Sequence, residues 1–431
     1  MQPLLINSRV RAIYILFIAG IMAFRTIVTI LLLSIAISTG NGAILEPLVN
    51  LLLNTDKPVS DLHKSRVLNF TELSGLHGFT TEEHTVTTDD GYVITIFRMR
   101  RGDCDECTGR PVLLMQGLYQ GPEAWLDAGP DAGLAYLLAN ECRDVWVGSQ
   151  RGTVHARKHV NLDPDRDAEF WQFSVDEIGF YDIPATIDYI LKCTETEKLN
   201  YVGFSQGVGT FVVMCSERPG YCDKVNMFIA LAPATRLYKT KSVMFRAVFE
   251  SFYALEETLS SAGVNEVFAR GGFLQGPLAQ MCESPAKAQA LCGSAYGLID
   301  SFHAGSVTNE TVRLIASHFP AGTSAHNLAR YGQGLLTENF QKFDYGKDKN
   351  VAMYGTEQPP VYNVSAVTAP CAIFYGLNDH IVDPVDVFWF RDRLPNLKEA
   401  TPIAVPQWNH FDMIHSKDIK PVVFDKFFHY I

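Results

Sequence analysis

Three residues far apart in the chain have the right types for one piece of chemistry. Ser205 lies in YVGFSQGVG (201–209), with Gly203 two residues before it and Gly207 two residues after. A serine hydroxyl is a weak nucleophile until a neighbouring base takes its proton, and that base needs a carboxylate to fix its tautomer. Candidates for both lie near the C-terminus, acid first: Asp379 in FYGLND (374–379) and His410 in WNHFD (408–412). Such a set performs acyl transfer through a covalent intermediate and needs no cofactor and no metal. The glycines have a steric reason: on a sharp strand-to-helix turn, side chains at the flanking positions would collide with the strand and the helix. The oxyanion of the reaction would need two backbone donors. Gln206 N–H, directly after the serine, is one, and Leu118 N–H, in the loop 116–118 after an early strand, is the other.

Rival residues read as structural. Asp383 precedes Pro384, and Asp386 lies deeper in the following segment. His415 falls in a short helical stretch from 411, where packing or solvation suits it better than catalysis. His380, beside the acid, reads as a rim residue.

The elements that must position these residues alternate. The period-2 stretch around HTVTTDDGYVITI (84–96) predicts a hairpin about an Asp-Gly turn. Short apolar runs at 111–115, 144–147, 201–204, 227–231 and 372–375 predict buried strands, with a further strand at 401–405. Helical stretches fall between them at 134–138, 182–192 and 208–215. This rhythm predicts an α/β fold with a mostly parallel sheet and helices on both faces. It breaks from 235 to 346, which reads as an inserted, mainly helical cap between a first core part (60–234) and a second (347–431).

Composition sets the surroundings. The 431 residues are 47% hydrophobic, enough for a large core, and carry a net charge of −11, which argues against a nucleic-acid partner. Residues 12–24 and 27–37 are apolar and are followed by small residues, as in a signal peptide over 1–43. A start at Met22 would make a shorter signal, and an uncleaved leader would be an anchor. Either route leads out of the cytosol, to secretion or to the lysosomal lumen. There the sequons at Asn69, Asn309 and Asn363 become glycosylation sites. Nine cysteines fit an oxidising compartment. Cys215 with Cys222 and Cys282 with Cys292 could close short loops, and Cys104-x-x-Cys107 has no second pair with which to hold a metal.

A dense set of segments carries a resemblance. LLMQGLYQGPEAWL (113–126), DVWVGSQRG (144–152), FSVDEIGFYDIPATIDYI (173–190), GFSQG (203–207), PAGTSAHNLARYGQ (320–333), FDYG (343–346), PPVYNV (359–364), GLNDHIVDP (376–384) and WNHFDMI (408–414) resemble the acid lipases, gastric and lysosomal, and their insect relatives. The likeness spans about residues 60 to 425. It implies an α/β-hydrolase core with a cap, acting on acylglycerols or sterol esters at a lipid–water interface. It also implies Ser205, Asp379 and His410 as nucleophile, acid and base, Leu118 and Gln206 as oxyanion donors, and a Cys282–Cys292 disulfide. Three positions depart from the family: Gln116 and Phe204 replace histidines, and Gly-Ser-Gln-Arg-Gly (148–152) replaces Gly-Asn-Ser-Arg-Gly. A small-ester carboxylesterase or thioesterase would use the same set of residues. A lipid-binding protein with impaired catalysis would accommodate the departures.

Overall fold

The computed structural model describes residues 68–104, 106–269, 282, 292 and 294–431. The leader expected over 1–43 lies outside them, and among the described residues no helix is long and apolar enough to cross a membrane.

The hairpin forms as β1 (Phe79–Thr87) and β2 (Val93–Arg101), joined through Gly91 at φ +99°. The sheet continues with β3 (Val112–Met115), β4 (Val145–Val147), β5 (Leu199–Phe204) and β6 (Val225–Leu231). A separate two-residue pair joins β7 (Glu266–Val267) to β8 (Thr323–Ser324), and β9 (Cys371–Tyr375) and β10 (Leu397–Pro402) complete the main sheet. Its order is β1-β2-β4-β3-β5-β6-β9-β10. The first two strands run antiparallel to their neighbours, and from β4 to β10 every pairing is parallel.

The central strands read as continuous apolar runs because both faces are covered. Leu113, Met115, Tyr201, Phe228 and Ile373 point to one face, and Val112, Leu114, Val202, Ile229 and Phe374 to the other. Helix α1 (Leu134–Asn140) covers the second face together with the C-terminal residues Val423, Phe424 and Phe427. Helices α2 (Ile183–Thr194) and α3 (Gln206–Glu217) cover the first. The edge strand β10, LKEATP, is only partly buried and starts four residues before the expected 401, because its alternating polar residues weaken the apolar signal.

Between β6 and β9 no described residue joins the main sheet. That stretch holds α4 (Val243–Ser261), α5 (Ser294–Ile299), α6 (Asn309–His318) and α7 (Ala325–Gly334), with α8 (Pro384–Arg391) following β9. Cys282 and Cys292 are disulfide-bonded and pack against Val312 and Ala316 of α6. One cysteine reading needs correction. Cys215 and Cys222 are free thiols, each buried at the edge of the core rather than closing a loop. A second disulfide, for which no pairing was expected, joins Cys104 to Cys142 and clips the end of β2 to the turn after α1. Asn69, Asn309 and Asn363 are exposed.

Candidate active site

The parallel strands deliver the candidate residues to one edge. Ser205 follows β5, Asp379 follows β9 and His410 follows β10, all at the strands' C-terminal ends, where open α/β sheets gather their ligands.

Ser205 adopts φ 51°, ψ −114°, a sparsely populated conformation for a residue with a side chain. Its N–H donates to Leu231 O (3.0 Å) and its carbonyl accepts from Ala234 N–H (3.3 Å), so β6 holds the turn. A Cβ at Gly203 would lie 2.9 Å from Gly207 C and O, and one at Gly207 would lie 2.2 Å from Met115 O. Both glycines are therefore demanded by close backbone approach, and the Tyr201 hydroxyl ties the turn by donating to Gly207 O at 2.8 Å.

Ser205 Oγ is 2.9 Å from His410 Nε2, and His410 Nδ1 is 2.8 Å from Asp379 Oδ2. The other Asp379 oxygen accepts the N–H groups of Ile381 (2.9 Å) and Val382 (2.7 Å), which fixes the carboxylate plane. All three residues are buried. Register places Met115 opposite Gly203, so the loop 116–118 emerges beside the serine turn. Gln206 opens α3, and its N–H is among the first-turn donors that a helix leaves without an internal partner. These donors and the positive helix end lie next to Ser205, where an oxyanion would form.

Residues 70–129 match the partial α/β-hydrolase lipase region, and residues 110–416 match the α/β-hydrolase fold family. The chain is 33% identical over 364 residues to Lipase 1 of Drosophila melanogaster, covering 84% of this chain and 80% of that one. It is 34% identical over 362 residues to human gastric triacylglycerol lipase (83% and 89% covered). Human lysosomal acid lipase/cholesteryl ester hydrolase is 31% identical over 355 residues (81% and 87% covered). The chain belongs to the acid lipase family of α/β-hydrolases.

Within this acid lipase the departures acquire a local account. Phe204 is buried with its ring 4.9 Å from the His410 ring, so it backs the imidazole by packing. Gln150 donates from Nε2 to Gln116 O (2.8 Å) and accepts from the Gln206 side chain, whose own oxygen accepts from Asn327 Nδ2 (3.1 Å). This amide chain links the loop after β3 to the start of α3, the two elements that carry the oxyanion candidates. Next to it, Arg151 anchors the loop after β4 from inside the core, donating to Asp182 Oδ1 (Nε, 2.8 Å) and to both oxygens of Asp90 (2.6 and 2.9 Å).

The rival residues take structural posts. Asp383 caps α8 by accepting from Val385 N–H (2.8 Å), and Asp386 pairs with Arg236 Nε at 2.6 Å. His415 is buried against Phe411, and burial pushes its pKa down to about 3, so of the two expectations packing holds and solvation does not. His380 is half-buried, and its backbone N–H points to a residue that sequence reasoning missed. Asp300, just after α5, accepts His380 N–H at Oδ1 (2.8 Å) and His410 N–H at Oδ2 (2.7 Å). No local motif marks it, because its partners are 80 and 110 residues away.

Burial works against a charged His410 imidazole. The Asp379 carboxylate, through charge and hydrogen bond, and then Asp300 outweigh it and hold the pKa above the ordinary histidine value.

Proposed function

We propose that this chain hydrolyses carboxylic esters of neutral lipids, acylglycerols or sterol esters, through an acyl-enzyme on Ser205. The observation that carries the reading is the hydrogen-bonded line Ser205–His410–Asp379 on a strained elbow. His410 Nε2 takes the Ser205 proton as Oγ attacks the ester carbonyl, and the Leu118 and Gln206 N–H groups meet the oxyanion. The imidazolium then protonates the leaving alcohol. Water, deprotonated by the same nitrogen, attacks the acyl carbonyl and releases the fatty acid and Ser205. Asp379 holds Nδ1–H throughout and balances the imidazolium charge.

Apolar surroundings support a long acyl chain. Tyr119, beside the oxyanion loop, has Phe268 and Phe319 rings at 5.5 Å and Phe249 at 6.4 Å. All three of these phenylalanines come from the stretch 235–346, which we read as a cap sheltering the acyl chain from water. The names of the gastric and lysosomal relatives support the substrate class and a destination outside the cell or in the lysosomal lumen. The exposed Asn69, Asn309 and Asn363 suit glycosylation on that route.

Rates on a glycerol ester series from tributyrin to triolein, with cholesteryl oleate alongside, test the proposal. Hydrolysis of the long-chain esters, abolished in a folded Ser205→Ala variant, is the expected result. Turnover confined to the shortest ester would replace the lipase by a small-ester carboxylesterase. Full activity of Ser205→Ala would remove the nucleophile.

A further inference from the structure

Asp379 and His410 sit on separate loops, and the orientation of the imidazole depends on holding the two loops together. Direct ties exist: Asn378 N–H donates to Trp408 O at 3.1 Å, and Gly376 approaches Trp408 O so closely that a Cβ would lie 2.2 Å from it. A third strand of chain, residues 299–301, threads between the loops. Asp300 is 4% exposed, and its two oxygens accept His380 N–H and His410 N–H, the residues immediately after the acid and at the base. Its neighbours repeat the pattern. Ser301 Oγ donates to Asn378 O (2.5 Å), and Asn409 Nδ2 donates to Ser301 O (2.8 Å). Ser242 Oγ donates to Ile299 O (2.5 Å), while Lys241 and Ser242 N–H groups donate to His380 O (2.8 and 2.9 Å). Every one of these contacts reaches a residue at or adjacent to the acid or base loop, or fixes the thread itself.

A hydroxyl or amide at position 300 would tie either loop by one acceptor. A carboxylate spans both, at the cost of burying a second negative charge beside Asp379. The charged groups that face Asp300 are the Asp379 carboxylate from the acid loop and the His410 imidazole from the base loop, and His380 presents its backbone N–H. Burial and Asp379 push the Asp300 carboxyl up, while the His410 charge and the N–H groups of His380 and His410 oppose that push and favour the carboxylate.

We propose that Asp300 is a positioning residue for the hydrolysis set out above, on which this inference rests: its oxygens lock the base loop to the acid loop, and its charge joins that of Asp379 in favouring the His410 imidazolium formed during acylation. The stretch between β6 and β9 thereby takes part in assembling the triad as well as covering it.

The test is Asp300→Asn, which keeps the side-chain shape, removes the charge and turns one acceptor into a donor. Two readouts are needed: the His410 titration by NMR on protein labelled at histidine Cε1, assigned by its loss in His410→Gln, and kcat and KM on p-nitrophenyl butyrate against pH. Removing an anion beside an imidazolium lowers the histidine pKa, so the titration and the acid limb of kcat/KM should both move down by about one pH unit. The plateau kcat should fall about tenfold with KM unchanged, a fraction of the loss that misplacing a catalytic group by 1 Å produces. A folded variant with reduced melting temperature but unmoved His410 titration would overturn the proposal and leave Asp300 a packing residue. If Asp300→Asn does not fold, Asp300→Ser is held to the same outcomes. A shifted titration in a protein whose wild type hydrolyses no ester would retain the Asp300 placement and overturn the hydrolase reading instead.

Discussion

The contact between the elbow and the oxyanion loop gives the sharpest quantitative prediction, through Gly207→Ala. The new Cβ would be built 2.2 Å from Met115 O, 2.9 Å from Met115 C and 3.0 Å from Gln116 O. All of these are backbone atoms, so no side chain can swing away. Met115 ends β3 and is followed directly by the loop that carries Leu118 N–H. To bring the nearest contact to 3.0 Å, one of the two backbones must retreat by about 0.8 Å. Overpacking of this kind costs about 1–3 kcal/mol, against which the better helix propensity of alanine at the start of α3 returns up to about 1 kcal/mol. The catalytic consequence is larger than the stability one. A shift approaching 1 Å between nucleophile and oxyanion donors costs about 10²-fold in rate. Neither the His410 nor the Asp379 contact involves Gly207, so the loss should appear in kcat rather than KM. Kinetics on p-nitrophenyl butyrate with urea unfolding of the same preparation would measure both. A folded Gly207→Ala enzyme with wild-type kcat/KM would refute the claim that the turn and the oxyanion loop share one tightly packed backbone contact.

Two further predictions follow from charge. Because Asp379 and Asp300 hold the His410 pKa above the ordinary histidine value near 6.5, the base is lost as pH falls through that raised value, and the acid limb of kcat/KM should lie above about pH 6.5; a limb well below 6 would contradict the assigned surroundings of the imidazole. Arg151→Met should destabilise the protein by about 3–5 kcal/mol, because it strands the fully buried Asp182 without its partner. Urea unfolding checks this, and an unchanged midpoint would show that the cluster is not held by charge.

Much of this architecture was readable because its physics is local. Strands buried on both faces leave apolar runs such as VLLM and NYVGF, and the Asp-Gly turn marks the hairpin. Gly203 and Gly207 flag close approach by their type alone, and the order Ser205, Asp379, His410 picked out the three side chains that the structure brings within hydrogen-bond distance. What could not be read depends on contacts across the fold. Asp300 is an unremarked acid in a Gly- and Ser-rich stretch until the topology brings it to His380 and His410. Cys104 has a nearer candidate in Cys107, and only the approach of the turn after α1 selects Cys142. Cys215 and Cys222 remain free thiols although their side chains lie close enough to hydrogen-bond. The amide chain through Gln150 and Gln206 likewise joins residues 56 positions apart.

Hydrolysis by this chain requires Ser205 to be activated by an assembled His410–Asp379 pair. Exposing the purified protein to a lipid-like active-site phosphonate, and mapping the adduct by mass spectrometry beside Ser205→Ala, tests that most directly. One stoichiometric adduct on Ser205, and none on the variant, is the expected result. Folded wild-type protein that remains unlabelled, or that carries the adduct on another residue, would contradict it.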